Sequence, residues 1–200
     1  MIEPLFETVD NNNQHSAIDI LAEAFADDPV MNWSCNHPTS IRPMFELTLP
    51  VFSAHGLSYM DGQCRGAAAW LGPHDTLEWP MNLHSVALVY RMGGLRGVLR
   101  MLRSGQQTSK HHPETPHYYL FAIGVRSECK GQGMGSALIR EMLKRCDAEG
   151  VPAYLENSKA ANLSFYEGHG FNVTRQIRFA RTAPPLFLMW REPLPSTNRP

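Results

Sequence analysis

Lys130-Gly131-Gln132-Gly133-Met134-Gly135-Ser136 stands between an apolar run, Tyr118 to Val125, and a stretch in which Met134, Leu138 and Met142 recur every four residues. That context predicts a strand, a tight loop and an amphipathic helix in succession. Glycine lets the main chain approach a ligand with its N–H groups exposed. The first turn of a helix adds unsatisfied donors and the positive end of a dipole, so the unit suits a phosphate or pyrophosphate. A Walker loop needs Gly-Lys-Ser/Thr at its end, which this loop lacks. A dinucleotide fingerprint closes on Gly-x-x-Gly with an acidic residue about twenty positions on. Glu156 roughly fits that distance, but the close is missing. A glycine-rich turn that binds nothing is the bland alternative.

Working outward, a helix is expected from Gly133 to about Glu149, stopped by Gly150 and Pro152, then a strand over Val151 to Glu156 and a short helix over Asn162 to Gly168. Phe171 to Phe179 and Leu186 to Trp190 read as a closing pair of strands joined by Pro184-Pro185. Upstream, Leu5 to Val9 reads as a first strand. Gln14 to Ala26 reads as a helix, with Ile18, Leu21, Ala22 and Phe25 in period and Asp27-Asp28-Pro29 ending it. Leu57 to Met60, a turn at Asp61-Gly62 and Gly66 to Leu71 read as a hairpin closed by Gly72-Pro73. Leu83 to Leu102 is helical in pattern but carries Gly93, Gly94 and Gly97, so one broken helix or two are expected. The order predicts one mixed α/β (α+β) domain over residues 1–200, helices on both faces of its sheet.

The 200 residues hold 18 Lys plus Arg against 19 Asp plus Glu, and 43% are hydrophobic. Such a balance gives no field to recruit nucleic acid or an anionic membrane, which points to a small-molecule partner. Met1 to Asp10 lacks the basic start and apolar run of a secretory signal, and no stretch approaches the roughly 20 apolar residues that span a bilayer. The four cysteines, Cys35, Cys64, Cys129 and Cys146, have no paired spacing. Idle thiols and a cytoplasmic setting are therefore expected. His111-His112 lack a spaced third ligand, so they read as loop residues and no metal is expected. The Met-rich Met81 to Met101 region serves either as core or as pocket lining. Exposed, the Leu83 to Leu102 segment would supply a dimer patch, leaving monomer or homodimer open.

Lys130 to Gly135 resembles the Arg/Gln-x-x-Gly-x-Gly/Ala motif of the GNAT superfamily of N-acetyltransferases, with Lys130 where Arg or Gln is usual. Val125, Asn162, Phe165-Tyr166 and Gly170-Phe171 resemble that superfamily's ordered landmarks. Phe25 with Asp28-Pro29 and Trp33, His117 to Leu120, and Pro184-Pro185 with Met189 to Arg191 resemble the branch that includes puromycin N-acetyltransferase. The resemblance implies a mostly antiparallel sheet and acetyl-CoA as cosubstrate. It further implies acetyl transfer to a primary amine of a small molecule or peptide, with residues 74–116 as a helical insertion shaping the acceptor site. A CoA-binding domain without catalysis is the alternative, and a nucleotide-binding oxidoreductase a third.

The same resemblance implies that the main chain of Ile123, Gly124 and Val125 binds pantetheine beside a bulge, one N–H polarising the thioester carbonyl, and that Lys130 to Ser136 binds diphosphate. Asn162 matches a position touching pantetheine or diphosphate, and Tyr166 the acid for the leaving thiolate. Tyr166 packing its helix on the sheet is the structural alternative. A base must take the amine's proton. Alternation places His117, Tyr119 and Phe121 on one strand face and Tyr118, Leu120 and Ala122 on the other, so His117 and Tyr119 are candidates, as is Glu156, a carboxylate ending an apolar strand.

Overall fold

The computed structural model describes residues 5–35, 40–76, 82–91 and 94–195. Met81 and Gly93 lie outside them. Short runs of small and β-branched or aromatic residues build seven strands: β1 (Phe6–Thr8), β2 (Tyr59–Asp61), β3 (Gly66–Leu71), β4 (Tyr118–Val125), β5 (Ala153–Asn157), β6 (Asn172–Ile177) and β7 (Leu186–Arg191). They form one sheet in the order β1-β2-β3-β4-β5-β7-β6. Among the described strands, only the β4–β5 pairing is parallel. The expected mixed, mostly antiparallel sheet is what the chain forms.

Seven helices accompany it among the described residues: α1 (Gln14–Ala24), α2 (Pro29–Cys35), α3 (Ile41–Ser53), α4 (Leu83–Arg91), α5 (Gly94–His111), α6 (Met134–Glu149) and α7 (Leu163–Glu167). On one face, α6 buries Leu138, Ile139, Met142 and Leu143 against Trp70, Tyr118, Leu120 and Leu155. On the other, Ile20, Leu21, Phe45, Leu49 and Phe52 of α1 and α3 cover Ala67, Ala69 and Ala122. A third cluster, Tyr154, Phe179, Leu186 and Leu188 with Val30 and Trp33, extends the core toward α2. No described helix is long and apolar enough to cross a membrane.

Helix α1 ends at Ala24, ahead of Asp27-Asp28-Pro29 as expected, and the same residues also start the next helix. Asp28 Oδ1 accepts the Met31 N–H at 2.8 Å and caps α2, with Pro29 at its first position, where a missing N–H costs nothing. Between α2 and the hairpin, Ile41–Ser53 forms α3 despite Pro43 and an internal Pro50. The expected helical region is two helices, one of the two outcomes anticipated, but α5 runs past Leu102 to His111, so His111 ends a helix where a loop was expected, which corrects that reading.

Strand β4 departs from strict alternation. Ala69 faces Ala122 while Trp70 faces Leu120, so Phe121 has no partner on β3 and forms a bulge. Its ring stacks on Phe52 with centroids 4.1 Å apart. Beyond the bulge the faces exchange. Ala122 joins Tyr119 and Phe121 on the α1 and α3 side, where alternation had assigned it to the opposite face, and Ile123 and Val125 join Tyr118 and Leu120.

Candidate active site

Pairing between β4 and β5 begins at Tyr118 and Ala153 and stops after Leu120 and Leu155. The strands then splay. A cavity of about 160 Å³ opens at the gap, lined on the α2 side by Phe25, Asp28 and Met31 and at the strand ends by Tyr119, Phe121 and Glu156. A second cavity, of about 500 Å³, lies along Ile123 to Val125 and the glycine loop. Ile123, Asn162 and Tyr166 line both, so the two spaces meet at these residues.

The glycine loop is held open from outside. Glu23 of α1 accepts the Ser127 N–H at 2.8 Å and Arg126 Nη1 at 3.0 Å, and also bonds the Ser127 hydroxyl. The strand end is thereby pinned to α1. Gly131 and Gly133 take φ of +76° and +82°, a left-handed conformation that glycine alone adopts freely, and nothing lies within 4 Å of where their side chains would project. Ala137 is the first residue of α6 whose N–H is bonded, to the Gly133 carbonyl. Among the described residues, no N–H from Gly131 through Ser136 donates to a protein acceptor. These unpaired amides line a concavity at the positive end of a 16-residue helix, an arrangement whose chemistry suits an anion. Lys130 lines the same cavity, whereas the Gln132 amide donates to the Glu128 carbonyl at 2.9 Å, leaving only its main chain to the loop.

Tyr166 is buried on α7, and its hydroxyl makes no hydrogen bond within the described residues. Burial, with a smaller contribution from the negative charge of Asp28, pushes its pKa well above the usual tyrosine value. The hydroxyl is thus a protonated donor at the junction of the two cavities.

Across the cleft, Glu156 accepts the Tyr154 hydroxyl at 3.1 Å and the Tyr119 hydroxyl at 3.5 Å. Burial first, and then the Glu156 charge, raise the pKa of both phenols, which keeps them neutral donors. His112 Nδ1 stands 3.9 Å from Glu156 Oε1. Asp28, only 2% exposed, also bonds the Ser158 hydroxyl, and Lys159 pairs with Asp27.

Three of the four candidate catalytic residues, Tyr119, Glu156 and Tyr166, line the cleft. His117 does not. It sits behind Glu156, its ring 5.3 Å from that of Tyr154 and 5.5 Å from that of Trp190, and reaches the carboxylate only through His112. Each cosubstrate candidate except Gln132 lines the second cavity. The loop after Phe25 supplies Asp28 to the cleft, and sequence reasoning missed His112, which no local pattern marks. None of the described residues of α4 and α5 lines the cleft. Instead α5 packs on α2, where Arg100 donates to the Trp33 carbonyl at 2.8 Å and lies over the Trp33 ring.

Comparison with known proteins agrees with this geometry. Residues 61–171 match the model of the acetyltransferase (GNAT) family. An uncharacterized N-acetyltransferase of Schizosaccharomyces pombe is 30% identical over 203 residues, covering 92% of this chain and 82% of the relative. Among solved structures, a histone acetyltransferase HPA2 and related acetyltransferase from Corynebacterium glutamicum superposes with a TM-score of 0.66 at 21% identity, over 98% of this chain and 100% of that one. Arabidopsis thaliana Naa50 in complex with the bisubstrate analogue CoA-Ac-MVNAL superposes with a TM-score of 0.56 at 15% identity, over 96% and 99%. A matched family model spanning more than half of the chain, on a sheet that splays beside an open glycine loop, makes this protein a member of the acetyltransferase (GNAT) family and an N-acetyltransferase.

Proposed function

We propose that the protein moves the acetyl group of acetyl-CoA to a primary amine of a small molecule or peptide by direct attack on the thioester. The observation that carries this reading is the meeting of two cavities at Ile123, Asn162 and Tyr166. One space has the amide cradle that suits a diphosphate, and the other has the carboxylate that suits an amine.

Diphosphate lies against the amides of Gly131 to Ser136 with Lys130 beside it, and pantetheine runs along Ile123 to Val125 toward Asn162. A main-chain N–H at the splay faces the thioester oxygen; such a donor lowers the barrier by about 3 kcal/mol. An alkyl amine with a pKa of about 10 arrives protonated. Glu156, facing the same cleft, takes that proton directly or through one water, and Tyr119 orients the carboxylate. The neutral nitrogen attacks the carbonyl carbon. As the tetrahedral intermediate collapses, Tyr166 donates its proton to the departing thiolate, and the second proton of the attacking nitrogen passes through water to the phenolate, which leaves a neutral amide, a free thiol and Tyr166 restored. Helix α5 shapes the acceptor side by backing α2. The free thiols of Cys64, Cys129 and Cys146 support a reducing cytoplasmic setting.

The test is thiol release from acetyl-CoA across a panel of primary amines, compared with Tyr166→Phe. Amine-dependent release that falls about 100-fold in the variant is expected. Tight CoA binding without release for any amine contradicts the reading and indicates a binding domain.

A further inference from the structure

His117 Nδ1 lies 2.7 Å from the carbonyl oxygen of Thr115. A carbonyl only accepts, so Nδ1 carries the proton and Nε2 of the neutral ring is a lone pair. Burial, the larger effect, and the neighbouring His112 ring hold the His117 pKa below the ordinary histidine value, in keeping with a neutral ring. The Nε2 lone pair faces His112 Nε2 at 3.2 Å, so His112 Nε2 is the donor. With that proton placed, neutral His112 presents a bare Nδ1, and this nitrogen is the one facing Glu156 Oε1 at 3.9 Å. The carboxylate that lines the acceptor cleft therefore has a proton-accepting nitrogen behind it. The His112 side chain is 34% exposed against 12% for Glu156, so the nitrogen belongs to the group nearer solvent.

We propose that His112 is the relay through which Glu156 discharges the acceptor's proton to solvent, and that His117 sets the tautomer this requires. The proposal rests on Glu156 being the base. An N–H bond of the acceptor ammonium breaks as Glu156 O–H forms, then that O–H breaks as His112 Nδ1–H forms, and the imidazolium returns its extra proton to water. A separation of 3.9 Å is too long for a direct hydrogen bond, and a shift of about 1 Å or one bridging water closes it. His112 touches no substrate and acts through Glu156, which makes it a positioning residue.

The surrounding groups favour this route. Tyr119 and Tyr154 pack edge-on to the His112 ring at 5.1 and 5.0 Å, and both phenols donate to Glu156. Beside His112 on α5, the His111 ring meets Arg175 Nη1 of β6 at 3.3 Å, and Lys110 is exposed. Glu192, past β7, is bonded by the Trp190 indole N–H. Glu156 is thus the carboxylate that meets the His112 ring.

Two measurements test the relay. Two-bond ¹H–¹⁵N spectra of histidine-labelled wild-type protein need no acceptor, and are expected to show neutral His117 protonated at Nδ1 and neutral His112 at Nε2. The opposite tautomer at His112 overturns the proposal. With the fastest amine of the panel, His112→Gln is expected to lower kcat about tenfold with KM within twofold. In His112→Ala, imidazole added at fixed pH restores turnover in proportion to its concentration. Unchanged kcat in His112→Gln, or loss in His112→Ala without imidazole rescue, overturns the relay. Glu156→Gln separates the two readings: if it is inactive while His112→Gln is unimpaired, only the relay fails, and if it retains full activity the base assignment fails first.

Discussion

Leu120 of β4 and Leu155 of β5 are the last residues of the two parallel strands to face each other, and both line the cleft that widens past them. On β4 the next residue is Phe121, which has no partner on β3 and is held by stacking on Phe52. On β5 it is Glu156. The bulge on β4 and the carboxylate on β5 thus stand at the same gap, each one residue past the last parallel pair.

Tyr166→Phe removes a hydroxyl with no protein partner among the described residues, so melting temperature should change little while kcat falls about 100-fold. Because burial holds the phenol pKa above its usual value, the hydroxyl stays protonated through neutral and mildly alkaline pH. The wild-type pH–rate profile should therefore show no alkaline decline near the ordinary tyrosine value, about 10. A decline there that Tyr166→Phe abolishes contradicts the assignment.

Substitutions at two glycines should separate binding from stability. A Cβ at Gly124 would stand 2.6 Å from Ala24 Cβ, forcing α1 off the sheet, so Gly124→Ala should destabilise by about 1–3 kcal/mol in denaturant melts. Gly133→Ala meets no neighbour but must hold φ at +82°, a strain of about 1–2 kcal/mol. Relaxing that strain tilts the amide cradle, so Kd for CoA should rise about tenfold as calorimetry measures it.

Arg191, its side chain 4% exposed, bonds Asp147 through both terminal nitrogens at 2.8 and 2.9 Å, tying β7 to α6. Burial pushes the Asp147 pKa up, but the Arg191 and Leu194 bonds together outweigh it and leave it below the ordinary value. A depressed carboxylate pKa adds stability that is fully present above the unfolded value, about 3.9, and lost as pH falls through the lower folded value. Asp147→Asn should cost about 3 kcal/mol at pH 7, because it strands a buried guanidinium. The difference from wild type should hold down to about pH 5 and shrink below pH 4 in pH-resolved melts.

How much was legible in the sequence depended on what marks each element. The glycine loop, the hairpin and α6 were readable because glycines and a clean period of two or four bound them. Helix α3 has Phe45, Leu49 and Phe52 in helical period, yet Pro43 and Pro50 mask it. Asp28-Pro29 is a stop and a start at once, and tertiary context alone separates the two. Past Leu102, α5 continues through Ser104, Gln106, Gln107 and Thr108, where no apolar stripe announces a helix, and that continuation is what carries His112 to Glu156. The bulge at Phe121 defeated alternation in the same way, since a period-two rule holds only while register is unbroken.

In the proposed reaction the main-chain N–H groups between Gly131 and Ser136 receive the diphosphate of acetyl-CoA. The most direct measurement is a crystal structure with acetyl-CoA bound. Diphosphate oxygens about 3 Å from several of those nitrogens, with the thioester between Ile123 and Tyr166, is the predicted result. Acetyl-CoA bound elsewhere, with those amides turned inward onto protein carbonyls, would contradict it.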